Sequence, residues 1–557
     1  MTAGLLTRKG SWALAIPVAA ILGAYVLWPS VQMFATGLGA ADLRSMFSGS
    51  GNANVRALTN SVWISVLSVL GAGVLGTGMA YGFFRFDFPL RRTLMAVAAL
   101  PLALPPLVGV LAFLFLYGES GILPRGLQAL LGLEEVPFAF EGLSAVWLVH
   151  VYSFYVYFYL FVSAAFRNLD RSIIEASADL GAGGWTTFRR VLLPALKPAI
   201  VSASLLVFMI SMASFTAPLL FAGTENFLTL QIYNYKTNGN LEASAAVASL
   251  LTIICLVFLA LIELDRSSGA RGTASKGAGA PPVPLRSGWI RASVVVTGLV
   301  LLIVLLLPIA TVVLISFVQE GSWTYQVLPQ AYTTANYVSL FSQPDVFEPI
   351  RNSLVMASMA TMANVLFGVA AGLLIVQGKL RGRAAFRTVA MLPFAIPGTV
   401  IAINLIVTFN EPTVAGFGQV LVGSFVLLPL AYFVRNIPLV VRATISGLEA
   451  YDPRLTEASM DLGARATTTF RRVMLPILGP SILAGTLLTF VAALGEFVSS
   501  ILLYTFNNRP ISVEILAQLR LYDFGAAAAY SVLLMALVGL STLVVRRLGG
   551  ASPAAGV

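Results

Sequence analysis

Glu496 stands in an apolar stretch that carries no other charge, FVAALGEFVSSILL. An ionised carboxylate at mid-depth in a bilayer costs at least about 2.5 kcal/mol, so it must face a bundle interior or a water-filled cavity. Two roles suit it: contact with a cationic or metal substrate crossing the membrane, or a protonated or hydrogen-bonded structural group near the external end of its helix. The single histidine, His150, lies in the aromatic run VWLVHVYSFYVYFYLF and reads as a packed side chain in preference to a ligand, and Tyr152, Tyr155, Tyr157 and Tyr159 around it read as packing and interface residues. One histidine and one cysteine, Cys255 in an apolar run, exclude a His-rich or Cys-based metal cluster and an intramolecular disulfide. The phosphate-cradling pattern G-x-x-x-x-G-K-[ST] does not occur: Gly372 to Lys379 has one residue too many and no Ser or Thr after Lys. The chain is therefore expected not to be an enzyme, to bind no cofactor or metal, and to draw energy from a partner.

The second group of telling residues is a long polar segment that occurs twice. Glu175 to Pro198, EASADLGAGGWTTFRRVLLPALKP, returns at Glu457 to Pro480 as EASMDLGARATTTFRRVMLPILGP, with 17 of 24 positions identical at an offset of 282. The chain is an internal duplication. Each copy reads as two short helices and a turn. Helices over Ile174–Leu180 and Thr456–Leu462 carry acids near their starts, and Gly181 and Gly463 end them in a left-handed conformation. Second helices over Thr186–Val191 and Thr468–Val473 should stop before Pro194 and Pro476, with Arg189, Arg190, Arg471 and Arg472 at their C-terminal ends. One such segment is a solvated loop between spans; two near-identical ones in otherwise diverged halves argue that both dock on one kind of partner.

Here the sequence resembles the type I ABC importer permeases. Their cytoplasmic coupling loop carries E-A-A, three residues, G, six residues, F, four residues, L-P. It appears as Glu175-Ala176-Ser177, Gly181, Phe188, Leu193-Pro194 and again as Glu457-Ala458-Ser459, Gly463, Phe470, Leu475-Pro476. Both copies have Ser at the third position, a small-for-small change. The resemblance implies that the first helix of each loop sits in a groove on an ATP-hydrolysing subunit and transmits its closure to the membrane helices. The chain would be a fused permease, all-α and polytopic, with two tandem parallel six-helix domains and about 12 transmembrane helices.

Composition sets the class independently. A chain of 557 residues that is 58% hydrophobic and 10% charged is too apolar for a soluble protein. Apolar runs long enough to span, roughly 20 residues, lie near Trp12–Phe34, Thr59–Phe84, Leu94–Tyr117, Leu143–Phe166, Ala199–Ala222 and Ala243–Leu264, then near Trp289–Phe317, Asn352–Val376, Thr388–Phe409, Phe417–Val441, Ser481–Tyr504 and Ala526–Val545. Six per half, an even number, gives parallel repeats. The first run has a signal-like flank, Arg8 and Lys9 before it and GLGAAD after it, but it exceeds a signal core and has a matching helix in the second half, so it reads as a permanent span. The domains expected are 1–264 and 289–557, with a Gly, Ala, Ser and Pro-rich flexible cytoplasmic linker over 265–288.

With both termini cytoplasmic, the inner segments hold 27 of 34 Lys and Arg, and the outer ones only Arg44, Arg56, Arg125, Lys236, Arg351, Arg509 and Arg520. This positive-inside bias puts both repeated loops in the cytoplasm. The net charge of +10 divides into +17 inside, −6 outside and −1 in the membrane, so basicity reports topology and no nucleic-acid partner is needed.

A second match, at an offset of 292, pairs Asn60-Ser61 with Asn352-Ser353, and Leu100, Pro101 and Pro105 with Leu392, Pro393 and Pro397. The change of offset is an insertion in the outer loop Gly118–Glu141, against a short Asn410–Gly416; it is either a contact for an external binding protein or a tolerated surface insertion. Prolines remove backbone donors, and the freed carbonyls must be satisfied by protein or a water-filled cavity. Each pair is a simple kink or, as a matched break in both halves, part of a gate. Glu496 aligns with Ser214, so the symmetry fails there.

These features predict the membrane subunit of a binding-protein-dependent importer in a bacterial inner membrane, multi-pass, with candidate pathway residues Glu496, Ser214, Pro101, Pro105, Pro393 and Pro397. Its expected partners are a cytoplasmic ATPase pair, a homodimer on the likeness of the two loops, which uses ATP and Mg; an extracytoplasmic substrate-binding protein; and membrane lipid. By resemblance the single-chain layout, the length and GESGILPRGL point to the ferric iron group, with thiamine, polyamine and phosphonate importers as alternatives. An ion-gradient-driven secondary transporter with Glu496 or His150 carrying protons, and a membrane scaffold, are the competing classes; neither explains the repeated loops.

Overall fold

A computed structural model describes residues 6–39, 46–49, 52–269, 282–285, 287–323 and 326–548. Most of the linker expected over 265–288 lies outside the described residues. The first half contributes α1 (Arg8–Gly39), α2 (Ala53–Arg85), α3 (Pro106–Tyr117), α4 (Gly142–Arg167), α5 (Gly184–Met212) and α6 (Leu241–Gly269). The second repeats them as α7 (Gly288–Ile315), α8 (Pro344–Gln377), α9 (Gly398–Phe409), α10 (Leu427–Ala450), α11 (Ala466–Leu494) and α12 (Phe524–Leu548). Eleven of the described helices are long and apolar enough to cross a membrane, or 12 if the bent pair ending in α9 is one span.

Each half is built on a three-helix core, α2, α4 and α5 in the first and α8, α10 and α11 in the second. The closest crossings depend on glycines of α2 and α8, of which one pair is equivalent in the two halves. A Cβ on Gly76 would lie 2.3 Å from the Tyr155 carbonyl of α4, and one on Gly368 would lie 2.6 Å from Val440 of α10. These two glycines are equivalent at the offset of 292. In space the halves interleave. Helix α1 lies against α8 and α9, while α7 lies against α3 and α12. The sequence units 1–264 and 289–557 therefore each lend their first helix to the other.

The repeated Asn-Ser pair pins the far end of the second helix of each half. Ser61 Oγ accepts from the Leu228 amide (3.0 Å) and Ser353 Oγ from the Ile511 amide (2.8 Å). Asn60 donates to Glu225 (2.8 Å) and Asn352 to the Arg509 carbonyl (3.2 Å). Two helices, Leu228–Thr237 and Ile511–Arg520, are thereby fixed over equivalent ends of the bundle.

Three sequence expectations change. The span expected at Phe417–Val441 begins instead at Leu427 and runs to Ala450, because Phe417 (φ 55°), Gly418 (φ 74°) and Gly423 (φ 86°) hold left-handed conformations that a right-handed helix excludes. The short outer loop Asn410–Gly416 accordingly extends to Val426. The spans expected at Ala199–Ala222 and Ser481–Tyr504 start earlier, in the repeated loops, and end at Met212 and Leu494; short helices Thr216–Phe221 and Ser500–Leu503 follow a break.

Candidate functional site

The repeated loops fold alike. Their first helices are Arg171–Asp179 and Pro453–Asp461, starting three residues before the positions expected. The acids that cap them are Asp170 and Asp452, which accept from the amides of Ser172 and Arg454 (2.9 and 3.0 Å); Glu175 and Glu457 lie beyond the first turn. Each helix closes in a Schellman turn. Gly181 (φ 74°) bonds Ala178 O and Ala182 bonds Ser177 O (2.9 and 3.0 Å); Gly463 (φ 82°) bonds Met460 O and Ala464 bonds Ser459 O (2.9 and 3.1 Å). The residue just before each glycine is left outside any packing: Leu180 is 88% exposed and Leu462 89%. Glu175, Ala176 and Ala458 are exposed beside them, and Glu457 is half-buried.

The serine at the third motif position is more than a small-for-small change. Ser177 Oγ hydrogen-bonds Thr187 Oγ1 (2.8 Å) and Ser459 Oγ hydrogen-bonds Thr469 Oγ1 (2.9 Å), tying the coupling helix to the next one. That next helix does not stop before its proline, as expected from sequence. Pro194 and Pro476 have no N–H to give the carbonyl four residues back, and the helix widens to a π turn over Phe188–Leu192 and Phe470–Met474 before continuing into α5 and α11. Leu193 N then bonds Phe188 O, and Leu475 N bonds Phe470 O. The paired arginines thus lie within a continuous rod and not at a helix end. Phe188 packs on Tyr81 of α2 (ring centroids 4.8 Å apart), and Phe470 packs beside Met474 and Leu478. Each loop is thereby continuous with α5 or α11.

Both proline pairs break their helices. Pro101 lies in a 3-10 turn, Leu100–Ala103, and Pro105 caps α3; Pro393 lies in another, Leu392–Phe394, and Pro397 caps α9. The second break bends by 107°. Tyr155 and Tyr159 of α4 donate to the Ala98 and Met95 carbonyls (2.9 and 3.4 Å), so two of the aromatic-run tyrosines satisfy backbone at the first break. The two halves touch at these breaks. Phe215 and Phe497, equivalents at the offset of 282, meet at 6.1 Å between ring centroids, each only 1% exposed. A Cβ on Gly495 would be 3.4 Å from Pro105 Cβ.

Directly beside the two phenylalanines lie Ser214 and Glu496. Their carbonyls are held equivalently, by the hydroxyls of Thr229 (2.7 Å) and Ser512 (2.8 Å), but their side chains are not. Ser214 Oγ bonds His150 Nε2 (2.8 Å), and His150 Nδ1 meets Ser68 and Ser211 (3.1 Å each), so the histidine is packed, as its surroundings in the sequence suggested. Glu496 Oε2 pairs with Arg435 Nε of α10 (2.9 Å), and its Oε1 accepts from the Ser499 amide (2.9 Å). Ser499 Oγ reaches across to the Gly398 carbonyl at the start of α9 (3.2 Å). Arg435 Nη1 fills the space that a Gly398 Cβ would need.

Arg435 is the residue the sequence reading missed. It was included among the 27 inner basic residues, which become 26, and the membrane charge becomes zero. The signal was available: a charge inside a span calls for an opposite charge on a neighbouring one. Phe215 and Phe497 could have been found by carrying the offset of 282 past the loops.

The family of binding-protein-dependent transport system inner membrane components matches the chain twice, over residues 72–264 and 364–551. The chain belongs to this family. It is a multi-pass permease subunit of a binding-protein-dependent ABC importer. It is 32% identical over 82% of its length to a probable ABC transporter permease protein, y4fN, of Sinorhizobium fredii, covering 81% of that protein. It is 25% identical over 86% of its length to the ferric transport system permease protein FbpB of Actinobacillus pleuropneumoniae, covering 69% of it. The sulfate transport system permease protein CysT of Salmonella typhimurium is 29% identical over 42% of this permease and 83% of its own chain. The permease therefore carries two copies of a unit that a sulfate permease carries in about one chain length.

Proposed function

We propose that this permease forms the whole membrane pathway of a ferric iron importer and is driven by a separate ATPase pair. The observation that carries the reading is the doubled loop: two Schellman-closed helices, each presenting one nearly bare leucine and each continuous with a core helix. Such knobs suit a groove on a cytoplasmic partner, and their likeness favours a homodimer of identical ATPases. ATP and Mg belong to that partner; this chain holds no cofactor. The positive-inside bias supports cytoplasmic termini. An extracytoplasmic binding protein would deliver cargo to the opposite face, near the two phenylalanines. Iron is supported by the likeness to the ferric transport permease FbpB and by the fused layout.

Reconstitution tests this. Proteoliposomes holding the permease, its ATPase and its binding protein should take up ferric iron only when all three and ATP are present. Uptake driven by an ion gradient without any ATPase would refute the reading. Two distinct ATPase chains in the mass of the purified complex would refute the homodimer.

A further inference from the structure

The pairing of Arg435 with Glu496 bears on what the pathway accepts. The partners are unequally presented: the Arg435 side chain is 34% exposed and that of Glu496 only 6%. Both carboxylate oxygens are already engaged, one by Arg435 Nε and one by the Ser499 amide. Nη1 of the guanidinium is buried against Gly398 with no hydrogen-bond partner, so the open edge of Arg435, and not that atom, is what a cargo can reach. Whatever approaches this pair from the open side meets the cation, and the anion stands behind it.

Arg435 is also the head of a stripe. Along α10, Arg435, Leu439, Arg442 and Ser446, at i, i+4, i+7 and i+11, are half-buried or exposed, whereas positions 436–438, 440, 441, 444 and 445 between them are buried. This face does not belong in lipid. Helix α10 is the most enclosed of the described spans, and Arg435 turned to hydrocarbon would cost about 2.5–3.5 kcal/mol. The open edge of Arg435 is therefore turned away from lipid, and the stripe runs from beside the Phe215–Phe497 contact towards the repeated loops. On α4 the equivalent stripe, Ser153, Tyr157, Leu160 and Ala164, has the same rising exposure and no charge. One of the two stripes is basic and the other neutral.

We propose that this permease passes a cargo that presents anionic oxygens, received by Arg435 as it loosens from Glu496, and that a bare metal cation is disfavoured. The proposal rests on the permease reading above and sharpens its substrate class. Two cargoes share this chemistry: a free oxyanion, or a ferric ion wrapped in carboxylate ligands. Glu496 is then a stand-in anion that keeps the site filled at rest, and not a ligand for the metal.

Equilibrium binding to the full-length permease in lipid nanodiscs tests it, with sodium molybdate, sodium sulfate, ferric citrate, citrate alone and manganese(II) chloride as probes. At least one anionic probe should bind. Arg435→Met should weaken that binding about tenfold or more, Arg435→Lys should retain part of it, and Glu496→Gln should strengthen it about tenfold by removing the competing anion. Binding of molybdate or sulfate supports a free oxyanion, and binding of ferric citrate but not citrate supports the wrapped metal. Manganese binding that Glu496→Gln abolishes would overturn the proposal. So would the absence of any anionic binding in a permease that still supports ATP-driven uptake. Failure to support uptake at all would instead remove the permease reading beneath it.

Discussion

At the equivalent points where α5 and α11 break, one half places a neutral hydroxyl cluster and the other an ion pair. In the first half His150, Ser68, Ser211 and Ser214 satisfy one another. In the second those positions hold Tyr432, Ala360, Ala493 and Glu496, and the partner has moved three residues along the helix, to Arg435 against Ser153. Both breaks keep one equivalent hydroxyl on the carbonyl of Ser214 or Glu496, from Thr229 or Ser512, to which the second half adds Ser500 (2.7 Å). Duplication kept the scaffold because each half needs the same break and the same docking loop. The buried side chains beside the break diverged, since each set satisfies its own polar groups in a different way.

The strongest test of the shared part is to break both loops. A Cβ on Gly181 or Gly463 would meet nothing within 4 Å, so a substitution there acts through backbone strain alone. A β-branched residue at these φ values of 74° and 82° is strongly disfavoured, at least about 1–2 kcal/mol per site. The Gly181→Val, Gly463→Val double variant should insert normally and lose ATP-driven uptake about tenfold or more. The two single variants should lose similar amounts. A double variant with undiminished uptake would show that the loops do not transmit the ATPase stroke, and strongly unequal singles would break their equivalence.

The diverged part is tested by stability. Arg435→Met leaves Glu496 buried without its charge partner, and breaking a buried pair in this way costs about 3–5 kcal/mol. His150→Ala leaves a cavity and, of the three serines on it, only Ser68 keeps another acceptor, the Ile64 carbonyl (2.6 Å), so about 2–3 kcal/mol is expected. Thermal unfolding of the purified variants measures both. Equal losses would mean that the ion pair is no more than packing. Gly398→Ala should resemble Arg435→Met more weakly, because the added methyl takes the space of Arg435 Nη1.

Much of this molecule was legible in its sequence because duplication prints each constraint twice. The repeated glycines, prolines and Asn-Ser pairs carry backbone requirements, which side-chain type reports directly. What escaped depends on registration between distant helices. Nothing local to RNIPLVVRATIS tells that Arg435 turns to Glu496, since a 61-residue separation and the bundle packing decide it. The interleaving of α1 and α7 escaped for the same reason. Hydropathy also cannot tell a span from an apolar loop, so Val420, Leu421, Val422 and Phe425 were taken into α10 although the left-handed residues around them hold them outside it.

The smallest expected effect concerns the serine at the third motif position. Its hydroxyl joins the coupling helix to the following rod through Thr187 or Thr469, a neutral hydrogen bond of the kind that contributes about 1 kcal/mol. Ser177→Ala should cost close to that value, because Ser177 and Thr187 are both buried and the threonine hydroxyl is left without its partner. Ser459 is half-buried, but Thr469 is 0% exposed and is likewise left without its partner, so Ser459→Ala should cost about the same. ATP-driven uptake should fall alike in both, by less than about tenfold in each, since the Schellman turns and π turns remain. The comparison is sharp because both alanines restore the residue that the importer motif carries. If both variants couple as well as the parent chain, the hydroxyl tie is incidental; if Ser177→Ala alone slips, the first loop depends on it for aim in a way the second does not.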